Sequence, residues 1–249
     1  MAGTNQTMVT EFVFLGFTDQ LDLQILLFVI FLVIYLIALI GNLGMMGLIR
    51  ISSRLHTPMY FFLSQLSFVD MCYASSIVSK ILANIFMKEK VIFFTGCFTQ
   101  MYFSSALVTK ECFLLAAMAF GRFVAICNPL LYTVIMSNRV CSELAVTVHI
   151  YGFLSSLIQT TMTLQASFCD SNAINLVYWA DPPLLSLSCS DIQIEEKHIF
   201  IISTLNLVSS LLVFFLSYCC IFAVVLKFPS GEERCKAFST CVTHLAIIA

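Results

Sequence analysis

Apolar residues run in long stretches along this chain, separated by shorter polar segments. About 20 apolar residues, wound as a helix, cross roughly 30 Å of hydrocarbon. Stretches of this length predict spans at about 25–49, 58–80, 97–121, 140–163 and 198–226, and a partial sixth span at 236–249. The pattern therefore predicts an all-α membrane protein, in which residues 1–24 form a tail before a helix bundle over 25–249.

The composition agrees with the pattern of spans. Hydrophobic residues make up 60% of the 249 positions and charged residues only 10%, whereas soluble domains average roughly 45–50% and about 25%. The net charge of −2 offers no basic surface, which argues against nucleic acid as a partner. Membrane lipid is therefore the predicted surroundings of the bundle.

Basic residues suggest which side of the membrane each connection occupies. Seven Lys and Arg follow the first, third and fifth spans, four lie on the opposite side, and Lys110 lies inside the third span. Because cytoplasmic loops are enriched in basic residues, the N-terminus is predicted to be extracellular. The tail also carries the sequence Asn-Gln-Thr, a glycosylation signal at Asn5 that is usable only outside the cytoplasm.

The cysteines divide by this topology. Of 11 cysteines, eight lie in spans or on the cytoplasmic side, where small buried thiols are expected. Cys97, Cys169 and Cys189 lie outside, and an odd number leaves one thiol over, which cysteine counting alone cannot identify. Cys169 and Cys189 belong to a long acidic connection at about 164–197. This connection is interpreted either as an outer lid held by at least one disulfide or as a run of solvated charges.

Ionisable side chains within a span are costly and point to function. Asp70 in the second span and Glu111 in the third stand at similar depth, and Asn42 adds an amide in the first. The two carboxyls are predicted to share water, a cation or a proton; a neutral carboxyl bonded to the backbone is the alternative. Lys110 has no obvious partner. No metal site, cofactor motif or catalytic set is predicted, so the chain is not expected to be an enzyme.

Several motifs carry a family resemblance. The segments LHTPMYFFLSQLSFVD at 55–70, MAFGRFVAICNPLLY at 118–132 and KAFSTCVTHL at 236–245 resemble the odorant receptors, within the rhodopsin-like seven-helix G-protein-coupled receptors. The match covers essentially the whole chain. It implies a seven-helix receptor bundle, here with about five full helices and part of the sixth, in the plasma membrane.

The resemblance also implies a ligand site between helices three, five and six. The matching wall positions are Ser104, Ser105, Val108, Thr109, Ile202 and Asn206. Their methyl and hydroxyl groups suit a small hydrophobic odorant with one or two hydrogen-bonding groups. For each of them, ordinary core packing is the alternative interpretation.

The remaining family positions concern the interior and the cytoplasmic face. Asp70 and Glu111 match an interior polar, cation-associated site. Arg122, Tyr218 and Lys236 match positions that change partners on activation and open a cleft for a stimulatory heterotrimeric G protein.

The chain departs from the family pattern in three places. Gly121 stands where the family has the Asp that pairs with Arg122, and this change is expected to shift the resting equilibrium. Trp179 replaces the family's cysteine partner of Cys97, which implies a Cys169–Cys189 disulfide with Cys97 unpaired. The sequence also stops within the sixth span. A truncated, non-signalling protein that is retained or associates with intact receptors is therefore the alternative function, and a transporter is disfavoured because inverted repeats are not visible.

Overall fold

The computed structural model describes residues 11–14, 20–85, 91–165, 173–174 and 193–226, together with residues 234, 239 and 242. Within these ranges the fold is helical apart from three short strands, so the predicted all-α class is confirmed. The long helices are α1 (Leu21–Ile51), α2 (Pro58–Ile85), α3 (Phe94–Cys127), α5 (Asn138–Gln165) and α6 (Gln193–Val225), and α4 (Tyr132–Ile135) is a single turn. α5 and α6 thus correspond to the fourth and fifth predicted spans.

The helix ends follow from local chemistry. α2 starts at Pro58, whose fixed φ and missing N–H suit the first position of a helix. A short 3-10 turn, Ser53–Leu55, connects it to α1. α3 ends at Cys127, two residues before Pro129, because a proline disfavours helical geometry in the residue before it. Each helix contains its predicted span almost entirely, extended by a few residues at its ends.

Among the described residues, four helices are long and apolar enough to cross a membrane. They comprise Leu21–Ile51, Pro58–Ile85, Asn138–Leu164 and Lys197–Val225. The third predicted span, 97–121, lies in α3, which packs against α2, α5 and α6. That span remains a prediction.

The shared core lies where α2, α3 and α5 meet. Phe62 on α2, Leu114 and Met118 on α3 and Cys141 on α5 belong to one buried cluster. α1 lies at the edge of the bundle and packs mainly on α2; Ile49 is its one buried side chain. α3 is therefore the central helix, and three of its polar residues, Ser104, Thr109 and Lys110, are buried.

A small sheet joins the N-terminal tail to two connections at one end of the bundle. β1 (Glu11–Phe14) pairs antiparallel with β2 (Val91–Phe93) and parallel with β3 (Ala173–Ile174). The sequence did not predict these strands. They place the N-terminal tail on the same side as the α2–α3 and α5–α6 connections, as the topology from the charges requires.

Candidate functional site

The predicted odorant wall lies midway along α3 and on the facing part of α6. On α3, Ser104 and Thr109 are buried, Ser105 is partly buried and Val108 is 40% exposed. On α6, Asn206 is buried and Ile202 partly buried. The structure brings Ser105 and Asn206 into one polar interface between α3, α5 and α6, as the following hydrogen bonds show.

The first hydrogen-bonded chain crosses all three helices. Ser105 donates its hydroxyl hydrogen to Gln159 Oε1 at 2.6 Å, and Gln159 Nε2 donates to Ser203 Oγ at 2.8 Å. Gln159, on α5, is buried and was not identified from the sequence. The general rule that polar side chains hydrogen-bond between membrane helices could have pointed to it.

A second chain lies about one helical turn away on α6. Tyr151 donates to Asn206 Oδ1 at 2.6 Å, and Asn206 Nδ2 donates to Ser155 Oγ at 3.1 Å. Nearby, Ser156 donates to the carbonyl oxygen of Tyr102 at 2.5 Å. Asn206, predicted to contact an odorant, thus has both ends of its amide bound to α5.

The other wall hydroxyls of α3 differ in the hydrogen bonds that they can still form. Thr109 donates to the carbonyl oxygen of Ser105 at 2.9 Å, so its hydrogen is already used. Ser104 Oγ is buried and has no hydrogen-bond partner. Ser104 therefore retains the capacity both to donate and to accept, whereas Ser105 and Thr109 retain only acceptor lone pairs.

The interior carboxyls lie close enough to interact. Asp70 on α2 lies within electrostatic range of Glu111 on α3, and Asp70 Oδ1 is buried without a hydrogen-bond partner. Asn42 donates to the carbonyl oxygen of Ala38 in its own helix at 3.0 Å. Among the described residues no group of His, Cys, Asp and Glu could hold a metal ion. The shared cation or proton remains a prediction.

Lys110 is buried between α3 and α5. Its Nζ lies 3.1 Å from the centre of the Phe153 ring, and the residue is only 2% exposed. Gly152 makes this packing possible, because a Cβ there would lie 2.7 Å from Lys110 Cγ and 3.0 Å from the Ala106 carbonyl oxygen. A cation over an aromatic face is stabilised by the ring's quadrupole. Sequence reasoning had found no account of Lys110, because its partner is 43 positions away in the sequence.

The C-terminal end of α3 has different surroundings. Arg122 Nε is buried without a hydrogen-bond partner. The phenol of Tyr132 in α4 lies within electrostatic range of Arg122: burial raises the pKa of Tyr132, the Cys141 thiol raises it further, and the Arg122 charge lowers it. A Cβ on Gly121 would lie 3.0 Å from Met136 Cε, the end of a flexible side chain. The glycine thus leaves Arg122 beside a neutral phenol.

Tyr218 lies on α6 near the same end of α3. Its ring centre is 4.8 Å from that of Phe214, and it packs against the buried pair Ile221 and Val225, together with Phe123 of α3. This places Tyr218 close to the helix end that carries Arg122, as the resemblance implies. The third position of the predicted switch, Lys236, lies outside the described residues.

Cys97 is a buried free thiol. Cys169, Cys189 and Asn5 lie outside the described residues, so the predicted disulfide and glycosylation site remain predictions.

The chain is similar to known proteins along its length. A family model described as Olfactory receptor matches residues 31–249. Olfactory receptor 5M5 of Mus musculus is 51% identical over 248 residues, which cover 100% of this chain and 78% of that protein. Olfactory receptor 5M11 of Homo sapiens is 51% identical, covering 100% and 81%, and Olfactory receptor 5AP2 of Mus musculus is 52% identical, covering 98% and 77%.

Proposed function

Since the chain belongs to the olfactory receptor family, we propose that it binds small, mostly apolar odorants inside the bundle and signals through a stimulatory heterotrimeric G protein. The family is one of receptors, and the chain is a multi-pass membrane protein. The observation that supports the proposal is the polar interface of α3, α5 and α6, because it includes two of the wall positions taken from the family, Ser105 and Asn206.

The ligand class follows from the side chains at this interface. Val108 and Ile202 supply apolar surface, and Ser104, Ser105 and Thr109 supply hydroxyls within about one and a half helical turns. Binding sites for small molecules are mostly apolar with a few convergent polar groups. A volatile molecule with one polar group fits this description.

The signalling half of the proposal rests on the inner ends of α3 and α6. Arg122 lacks a hydrogen bond at Nε, and Tyr218 packs beside the same helix end. A charged group with no fixed partner is available to a protein that binds at this face. We assign the N-terminal tail to the extracellular side of the plasma membrane, because the small sheet groups it with the sparsely basic connections.

A cAMP assay in cells that express the full chain tests the proposal. We expect at least one volatile in a broad panel to raise cAMP in a dose-dependent way, and Ser104→Val to shift the dose response of that volatile. Surface labelling in the same cells provides the control. A chain that reaches the surface but gives neither a basal nor an odorant response would instead support the non-signalling alternative.

A further inference from the structure

Gln159 lies where it can affect which odorants the site accepts. Its side-chain amide is 4% exposed and contacts two helices at once, through Ser105 on α3 and Ser203 on α6. Gln159 is not one of the predicted wall positions. Its effect on an odorant must act through Ser105, so it is a positioning residue.

The direction of these bonds determines what Ser105 can offer. Its hydroxyl hydrogen is committed to Gln159 Oε1, and a hydroxyl that donates its hydrogen keeps only acceptor lone pairs. Thr109, one turn further along α3, is in the same condition because it donates to the Ser105 carbonyl oxygen. The two hydroxyls on this side of α3 are therefore both acceptors.

We infer that Gln159, by holding the hydroxyl hydrogen of Ser105, makes the odorant site select ligands that donate a hydrogen bond. Alcohols belong to this class, whereas ethers and esters can only accept. An acceptor oxygen facing the Ser105 lone pairs forms no hydrogen bond and loses its bond to water, which is unfavourable in apolar surroundings. This inference rests on the proposed odorant function and narrows it.

Ser104 is the alternative partner for an acceptor ligand, since its hydroxyl is unpartnered. Consecutive residues of a helix point about 100° apart, so Ser104 and Ser105 do not face the same point. Ser104 is also 5% exposed, less than the partly exposed Ser105. The selectivity for donors should therefore depend on Ser105 and Gln159, and should survive Ser104→Ala.

The test compares isomers that differ only in hydrogen-bond donation. The purified full chain in lipid nanodiscs is titrated with n-octanol and with heptyl methyl ether, and then with n-hexanol and methyl pentyl ether, following the thermal midpoint of the protein. The wild-type chain should bind the donor of each pair about 3- to 10-fold more tightly than its isomer. Comparing the same ratio between variants cancels the different partitioning of the isomers into lipid.

Three variants separate positioning from simple structural support. Gln159→Leu frees the Ser105 hydrogen, so the ratio should fall towards one while the ether gains affinity. Gln159→Glu, neutral in the membrane, still accepts from Ser105 and donates to Ser203, so the ratio should be kept. Thr161→Val removes an exposed hydroxyl that bonds only within α5, and serves as the matched control.

The outcomes distinguish this inference from the function on which it rests. An equal affinity for both isomers in the wild-type chain, or an unchanged ratio in Gln159→Leu with Gln159→Glu folded, overturns the inference but leaves odorant binding in place. Binding of none of the four ligands overturns the inference; a cAMP response to other volatiles would then still support the proposed function. Donor-selective binding without any cAMP response supports the inference and contradicts signalling.

Discussion

Two cations on α3, twelve positions apart, have opposite surroundings. Lys110 lies deep between α3 and α5 with its ammonium over the Phe153 ring. Arg122 lies near the C-terminal end of the same helix, with Nε buried and unbonded. Each cation has a glycine nearby. Gly152 on the neighbouring helix leaves space for the Lys110 side chain, whereas Gly121 places no acidic side chain beside Arg122.

The difference shows how position decides what an unpaired charge can do. A charge at the centre of a bilayer is costly, so it persists only where packing fixes it in a favourable place. A charge at the membrane boundary is tolerated with less support, because water is near. Lys110 is therefore expected to affect folding, and Arg122 to affect the balance between conformations.

The largest effect is expected at the glycine beside Lys110. Gly152→Val places a Cβ against Lys110 Cγ and 3.0 Å from the Ala106 carbonyl oxygen. The second contact is the harder one to relieve. Because backbone cannot move aside as a side chain can, α3 and α5 must separate, at a cost on the order of 1–3 kcal/mol or more. The measurement is the thermal midpoint in nanodiscs together with the amount at the cell surface.

Gly44→Val is the matched control for that substitution. A Cβ at Gly44 meets nothing within 4 Å, so this variant should remain close to wild type in stability. Equal losses at the two glycines would contradict the close approach of α3 to α5.

A smaller loss is expected when the aromatic partner of Lys110 is removed. Phe153→Leu keeps an apolar side chain but removes the ring face, and a desolvated cation–π contact contributes about 2 kcal/mol. The same substitution in a Lys110→Met background should cost clearly less. A double-mutant cycle on thermal midpoints measures this coupling, and additive effects would argue against the contact.

A still smaller effect is expected from one hydrogen bond between α5 and α6. Tyr151→Phe removes the donor to Asn206 Oδ1 and leaves the ring, which also packs on Phe113. Single interhelical hydrogen bonds in membranes contribute about 0.6 kcal/mol on average. The thermal midpoint should therefore fall slightly, while Thr147→Val, whose hydroxyl bonds only within α5, should leave it unchanged.

The helices were predictable because each apolar stretch carries its own signal. α2 begins at Pro58 as predicted, and α1 extends only a few residues beyond 25–49. The residues of the polar interface could be predicted only in part from the sequence. Ser105 and Asn206 were singled out through the resemblance, but Gln159 was not, since its role depends on partners 54 and 44 positions away.

Lys110 and the small sheet were missed for the same physical reason. The space beside Gly152 that accommodates Lys110 forms only when α3 and α5 pack together. The local sequence does not indicate which glycine will face which lysine. The strands are two to four residues long and lie in the N-terminal tail and in two separate connections. Segments this short have no periodicity from which a strand can be inferred.

We propose that Arg122 is weakly restrained because residue 121 is a glycine. Basal cAMP, normalised to surface-labelled protein, tests it through Gly121→Asp, with the uncharged Gly121→Asn as control. The aspartate needs only a small shift of Met136 Cε, and the restored ion pair should lower basal cAMP about 2- to 5-fold, whereas the asparagine should leave it nearly unchanged. Equal basal cAMP in the wild-type and Gly121→Asp chains, or equal reductions by both variants, would contradict the account.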